Sequence, residues 1–156
     1  MKGLSFLVKD EFFAVDVSLV QKVAREMTVT QVPSAPDEII GLTNLKGRVI
    51  TVLSLSRLLG NRGKTGEKPG ATVKVVVFKP LSNNEEQIGL FIDKPGELID
   101  INDELIRPPS FPTGAEESFC ISGIAEIENR LYRIVNIDSI IKKYICNGGV
   151  ENEGNI

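Results

Sequence analysis

The chain of 156 residues is 42% hydrophobic, 25% charged and 6% aromatic, carries a net charge of −3, and contains no histidine. The missing imidazole removes the commonest general base and metal ligand together. Dispersed Lys and Arg with few aromatics exclude a nucleic-acid groove, and no apolar run approaches the roughly 18 residues of a membrane span.

Residues 4–8 are apolar, turn at Lys9, Asp10 and Glu11, and resume through 12–17 with β-branched and aromatic side chains, which predicts a β-hairpin. Those three charges also interrupt any signal-peptide core, so the chain is expected in the cytoplasm. Ser18 is placed to cap a short helix carrying Leu19, Val20 and Val23 on one side. A strand rich in Thr and Val over 27–32 follows. Pro33 and Pro36 stop it, and the stretch between them reads as a stiff connector.

The next segment, residues 41–59, is stated twice. Moved forward without a gap it lies on 123–141, pairing Gly41 with Gly123, Leu45 with Ile127, Arg48 with Arg130, Val52 with Ile134 and Leu55 with Ile137. Upstream, Phe13-Ala14-Val15-Asp16-Val17 reads like Ile88-Gly89-Leu90-Phe91-Ile92, and Pro33-Ser34-Ala35-Pro36 like Pro109-Ser110-Phe111-Pro112. The chain is a duplication with extra residues at 113–118. Neither copy is long enough to bury a sufficient core alone, so the two are expected to pack on each other.

Within the repeat, Lys46-Gly47 is a turn where glycine supplies positive φ, and the aligned Asn129 also tolerates it. Residues 49–55 are apolar on nearly both parities, which suggests a strand covered on two faces. Ser56 and its counterpart Asp138 read as helix N-caps, opening single turns at 57–59 and 139–141. The Gly-rich stretch 60–70 resembles the end of a phosphate-binding loop at Gly63-Lys64-Thr65, but the required earlier glycine is Leu58; a loop joining the halves is the expectation.

The second copy opens with a strand over 71–78, a turn tip at Ser82-Asn83-Asn84, and a strand over 88–92. Residues 93–99 are expected to replace the first copy's helix with a shorter one, since Gly96 weakens it. Strands over 119–127 and 131–137 then close the second unit. Beyond Tyr144 the sequence has little to bury, and 147–156 reads as a flexible tail. Cys120 and Cys146 have no metal-ligand spacing and read as reduced thiols. No nucleophile elbow or dinucleotide fingerprint is present. Catalysis, cofactors and a small-molecule substrate are not expected, which leaves binding by surface.

In order and spacing, several stretches together resemble the CheW family of chemotaxis coupling proteins. They are Phe13-Ala14-Val15-Asp16-Val17, Val32-Pro33-Ser34-Ala35-Pro36, the run from Ile40 to Gly47 with 49–55, and the second-copy series 88–93 and 122–140. The resemblance implies a mainly β fold of two pseudo-symmetric, SH3-like five-stranded barrels around a shared hydrophobic core, with short helices. Residues 1–146 would form one domain of two intertwined subdomains, roughly 12–70 and 71–146, with room for the N-terminal strand to cross over.

It implies too a non-enzymatic adaptor, cytoplasmic and recruited to membrane-associated arrays, that couples the cytoplasmic tips of chemoreceptors to the regulatory domain of a CheA-type histidine kinase. The alternative is an adaptor of another receptor-kinase pathway such as surface motility. The family's functional surface falls on the turn of Asn44, Leu45, Lys46 and Gly47 with Gly41 beside it, on the expected helix at Val20, Lys22 and Val23, and on Leu98 in the second copy. Two departures stand out. The family's usual arginine in the turn is Lys46, and a glutamate common in the helix is Lys22, so an ion pair there is replaced by two like charges.

Overall fold

The computed structural model describes residues 1–60, 72–80, 86–109 and 119–146. Its ten strands are β1 (Lys2–Val8), β2 (Glu11–Asp16), β3 (Val20–Thr28), β4 (Ile39–Leu45), β5 (Arg48–Ser54), β6 (Thr72–Phe78), β7 (Gln87–Ile92), β8 (Lys94–Asp100), β9 (Ile121–Ile127) and β10 (Arg130–Val135). Helix α1 (Leu55–Leu58) follows β5, and α2 (Ile137–Ile141) follows β10. The loops at 61–71 and 113–118, the tip at 82–84 and the tail at 147–156 lie outside the described residues.

Two five-stranded sheets form, ordered β8-β1-β2-β10-β9 and β3-β6-β7-β5-β4, each curled into an SH3-like half-barrel. The division expected at 12–70 and 71–146 is not how they are built. The β1–β2 hairpin of the first copy joins β8, β9 and β10 of the second, while β6–β7 of the second copy joins β3, β4 and β5 of the first. Each sheet takes two strands from one copy and three from the other. Sequence similarity shows that the copies are equivalent, but an exchanged and an unexchanged arrangement contain the same strands, so the pattern alone does not choose between them.

The registers make the duplication visible. Ile134 of β10 pairs in parallel with Ala14 of β2, and the aligned Val52 of β5 pairs in parallel with Gly89 of β7. In β4–β5, Gly41 faces Val52 and Leu45 faces Arg48; in β9–β10, Gly123 faces Ile134 and Ile127 faces Arg130. Even the bulge repeats, between Ile39 and Gly41 in one hairpin and where Ile121 pairs with Val135 in the other.

Both faces of the central strands are covered, as the mixed parity of 49–55 suggests. Ile50 and Val52 turn into a core of their own barrel with Ala24, Met27, Val75 and Val77. Leu53 and Leu55 turn the other way, into the largest core, where Phe6, Phe13 and Val15 of one sheet meet Val76, Leu90 and Ile92 of the other beneath α1 and α2. Phe6 and Phe13 stack with ring centroids 5.9 Å apart. A third core of Ala14, Ile101, Ala125, Tyr132 and Ile134 fills the first barrel. Cys120 is buried in the shared core and forms no disulfide.

Three local expectations are corrected. The helix after Ser18 is only a 3-10 turn at Val17–Leu19, capped by Asp16, whose Oδ1 accepts from the Ser18 amide at 2.9 Å; β3 then runs through Val20 and Val23. Register shifts between Val20 and Lys22 and between Ala24 and Met27 break its alternation. The resulting three- to four-residue spacing of inward side chains imitates a helix. Likewise 93–99 is strand β8, in which Ser5 Oγ accepts from the Glu97 amide and donates to its carbonyl, both at 2.9 Å. Gly96 belongs there because a Cβ would run into Ser5. The helix caps are Ser54 and Asn136, two residues before those expected: Ser54 Oγ accepts from the Arg57 amide at 3.3 Å and Asn136 Oδ1 from the Ser139 amide at 3.2 Å. Ser56 is instead inside α1 and buried.

Candidate protein-binding surface

The β4–β5 turn is built by its own residues. Lys46 and Gly47 have φ of 52° and 84°, the mirror-image geometry that matches the twist of a two-residue hairpin. Asn44 Oδ1 accepts from the Gly47 amide at 2.9 Å and holds the loop closed. Glu128 and Asn129 repeat the geometry in β9–β10, with φ of 51° and 66°. Asn44, Lys46 and Gly47 are all exposed, and Lys46 is left to point its charge at solvent or a partner.

Gly41 is not part of that surface. It is buried, and a Cβ there would run into the backbone of Thr30. Thr30 and Leu42 exchange backbone hydrogen bonds of 2.8 Å in both directions, and Thr43 Oγ1 donates to Thr28 O at 2.8 Å. This bridge curls the sheet so that the end of β3 meets β4. Gly123 serves the same close approach in the other barrel, where Arg107 and Ile124 form the equivalent bridge.

Val20, Lys22 and Val23 lie on edge strand β3, opposite Phe78, Val77 and Val76 of β6. Lys22 is exposed; the two valines are half-buried, and Val20 packs against the shared core. The turn of Asn44 and Lys46 lies beside the Thr28 end of β3, whereas Lys22 is toward its start. Leu98 is on β8 in the other sheet, opposite Leu4, which makes it the structural counterpart of Val23. It is 57% exposed. The sequence-derived residues therefore fall on both barrels, with all but Leu98 on one of them.

Further exposed apolar residues escaped the sequence reading. Val49 and Leu131 are 54% and 56% exposed at equivalent places, opposite Asn44 and Glu126. Each is the second residue of its strand, after an exposed arginine, and the rest of the strand is buried or half-buried, so parity gave no signal; only their position next to the turn did. Leu105 stands out at one end of a shallow cleft with Glu104, Arg107, Glu126, Glu128 and Asn129. A second cleft of about 410 Å³ runs under the connector at Val32, Pro33 and Pro36, where Arg57 Nη1 donates to Asp37 O at 2.8 Å. Among the described residues no group of three or more metal-ligating side chains gathers, and no helix is long and apolar enough to cross a membrane.

Comparison with known proteins decides the family. The CheW-like domain pattern matches residues 2–144. The chain belongs to the CheW-like domain family. Chemotaxis protein CheW of Rhizobium meliloti (strain 1021) is 28% identical over 138 residues, covering 88% of this chain and 84% of the relative. Its namesake in Helicobacter pylori (strain ATCC 700392 / 26695) is 27% identical over 143 residues, covering 92% and 82%. The crystal structure of scaffolding protein TtCheW from Thermoanaerobacter tengcongensis superposes with a TM-score of 0.72 at 27% identity, over 86% of this chain and 88% of that one. The CheW-like family consists of chemotaxis scaffolds and adaptors rather than enzymes, so the exposed edges and turns are the places to seek its contacts.

Proposed function

We propose that this chain couples chemoreceptors to a CheA-type histidine kinase, binding the receptors' cytoplasmic tips and the kinase regulatory domain in one assembly. The observation that carries this reading is the CheW-like match across residues 2–144, with chemotaxis proteins of the same name as relatives. Val20, Lys22, Val23, Asn44, Lys46, Gly47 and Leu98 supply the contacts, and Gly41 supports the turn from inside. The protein works from the cytoplasm and joins receptor arrays at the membrane.

No chemistry is performed here. Several modest contacts held in one array raise one another's effective concentration, and occupancy shifts the kinase between its conformations. The test is calorimetric titration of the full chain with a kinase regulatory domain and, separately, with a receptor cytoplasmic hairpin. Binding to each is expected. Binding to neither overturns the reading.

A further inference from the structure

The edge strands β3 and β8 carry the same irregularity at the same place. In β3 the pairs Val20–Phe78 and Lys22–Val77 leave Gln21 as an extra residue, and in β8 the pairs Pro95–Phe6 and Leu98–Leu4 leave one extra residue at Gly96 and Glu97. The repeat aligns the two, with Gln21 on Gly96, Lys22 on Glu97 and Val23 on Leu98. Both bulges therefore stand directly before the apolar residue that each edge offers to a partner.

Each bulge is tied by a buried polar side chain from another strand of its sheet. Ser5 of β1, 4% exposed, holds both the N–H and the carbonyl of Glu97 with one hydroxyl. The position equivalent to Ser5 is Val77, which has no hydroxyl, and there the tie comes from β7 instead. Gln87, 2% exposed, reaches past the end of β6: its Nε2 donates to Phe78 O at 3.0 Å and to Gln21 Oε1 at 2.8 Å. Both N–H bonds of that amide are spent on the tie, and its buried Oε1 accepts nothing among the described residues. An apolar side chain of the same length would fill the site without burying an unpaired acceptor, so the gain from glutamine is not stability.

A bulge decides which way the residues after it face, because one residue more or less moves a side chain to the other face of the strand. Counted from the Val20–Phe78 pair without the bulge, Lys22 would stand opposite Val76 and Val23 opposite Val75. The lysine would then turn toward the shared core, which holds Val76, and the valine into the barrel's own core, which holds Val75. Counted in the same way from the Pro95–Phe6 pair, Glu97 would take the place of Leu98 opposite Leu4. We propose that Gln87 and Ser5 are positioning residues of the protein-binding surface, each latching the bulge that turns Val23 or Leu98, rather than the charge beside it, to the partner. The proposal rests on the coupling reading for its partners and on the registers alone for its geometry.

The experiment uses Gln87→Met and Ser5→Ala in the full chain, with Gln21→Leu, which cuts the same tie from an exposed position, and Gln21→Glu, which keeps its acceptor. Gln87→Met and Gln21→Leu are expected to shift the amide resonances of residues 20–23 and their cross-strand NOEs to Val76 and Val77, leaving 96–98 unmoved. Ser5→Ala does the reverse, and Gln21→Glu keeps the wild-type register. Gln87→Met is expected to melt at or above the wild-type temperature, since it buries no unpaired acceptor. Calorimetric titration of Gln87→Met and Ser5→Ala with receptor hairpin and with kinase regulatory domain is expected to show a loss of about fivefold or more toward at least one of them, the scale of one misplaced interface contact. Unmoved resonances overturn the proposal, as do moved resonances with both affinities intact, or a loss of binding by Gln87→Met that comes with collapse of amide dispersion across the chain. If the wild type binds neither partner the coupling reading fails, whereas the latch stands or falls with the resonances of residues 20–23.

Discussion

The Oδ1 of Asn44 accepts a hydrogen bond of 2.9 Å from the backbone N–H of Gly47, closing the β4–β5 turn across two residues with positive φ. The bond is exposed, and both groups can find water once it is broken. Asn44→Ala is therefore expected to lower stability by only about 1 kcal/mol. Gly47→Ala meets no atom within 4 Å, so its whole penalty is conformational, about 1–2 kcal/mol. Gly47→Asn, the residue used at Asn129, should recover most of that loss. Urea unfolding of the three variants measures all of this, and an Asn no better than Ala at position 47 would reject the account.

Gly41 answers to a different physics. Its Cβ would collide with the Thr30 backbone where the chain closes the barrel, and backbone cannot swing aside as a side chain can. Gly41→Ala is expected to cost about 2–3 kcal/mol, more than Gly47→Ala, as is typical of overpacking. Gly123→Ala, which faces Arg107 O at 3.0 Å and the Ile106 side chain, should fall between them, because the isoleucine can repack. Thermal unfolding of the three variants orders them. Equal losses at all three positions would contradict a steric origin.

How much of this was legible in the sequence follows from which signals are local. The duplication, the turn at Lys46 and Gly47, and the two-sided burial of β5 were all readable, since each is written in adjacent residues. The helix expected at Val20 and Val23 was not a helix, because bulges in β3 rearranged the spacing of its inward side chains and no local pattern distinguishes that from a 3.6-residue period. The caps were misplaced by two residues because Ser54 and Ser56 are both competent, and what chooses is where the strand ends: Ser54 is still extended, whereas Ser56 already lies inside α1. The intertwining and the crossing of the N-terminal strand came only from the family resemblance; no local pattern says which strands exchange. Of the candidate site, the turn was legible from its φ demands, whereas Val49, Leu105 and Leu131 became visible only when the fold left them uncovered.

Strand exchange makes a prediction about fragments. Residues 1–70 carry β1–β5 but lack β6 and β7, which separate β3 from β5 in the sheet order. Residues 71–156 lack β1 and β2, which lie between β8 and β10. Neither fragment can complete a barrel, so each alone is expected to show the narrow amide dispersion of an unfolded chain. Mixed at equal concentration they should give a dispersed spectrum close to that of the intact protein. A fragment that folds by itself would show that the exchange is dispensable.

The exposed residues separate binding from stability. Leu98 is 57% exposed, whereas Val20 packs against the shared core. Leu98→Asp should change stability by less than about 0.5 kcal/mol, within the usual range for surface substitutions. Val20→Asp should lose several times as much. With receptor hairpin as titrant, Leu98→Asp is nonetheless expected to weaken binding about tenfold, by placing a charge in an apolar contact. Unchanged affinity would remove Leu98 from that surface.

Lys46 is the sharpest test of the turn as a contact. It is exposed and needs only its backbone conformation to keep the hairpin, so Lys46→Glu should unfold at nearly the wild-type temperature, as its counterpart Glu128 holds the same conformation in the other barrel. Against a kinase regulatory domain the charge reversal is expected to weaken binding about tenfold or more, mostly through slower association at low salt. Lys46→Arg preserves the charge and adds a two-pronged donor, so it should match or exceed the wild type. Calorimetry at two salt concentrations distinguishes these outcomes. If Lys46→Glu leaves the isotherm where it was, the β4–β5 turn does not meet the kinase.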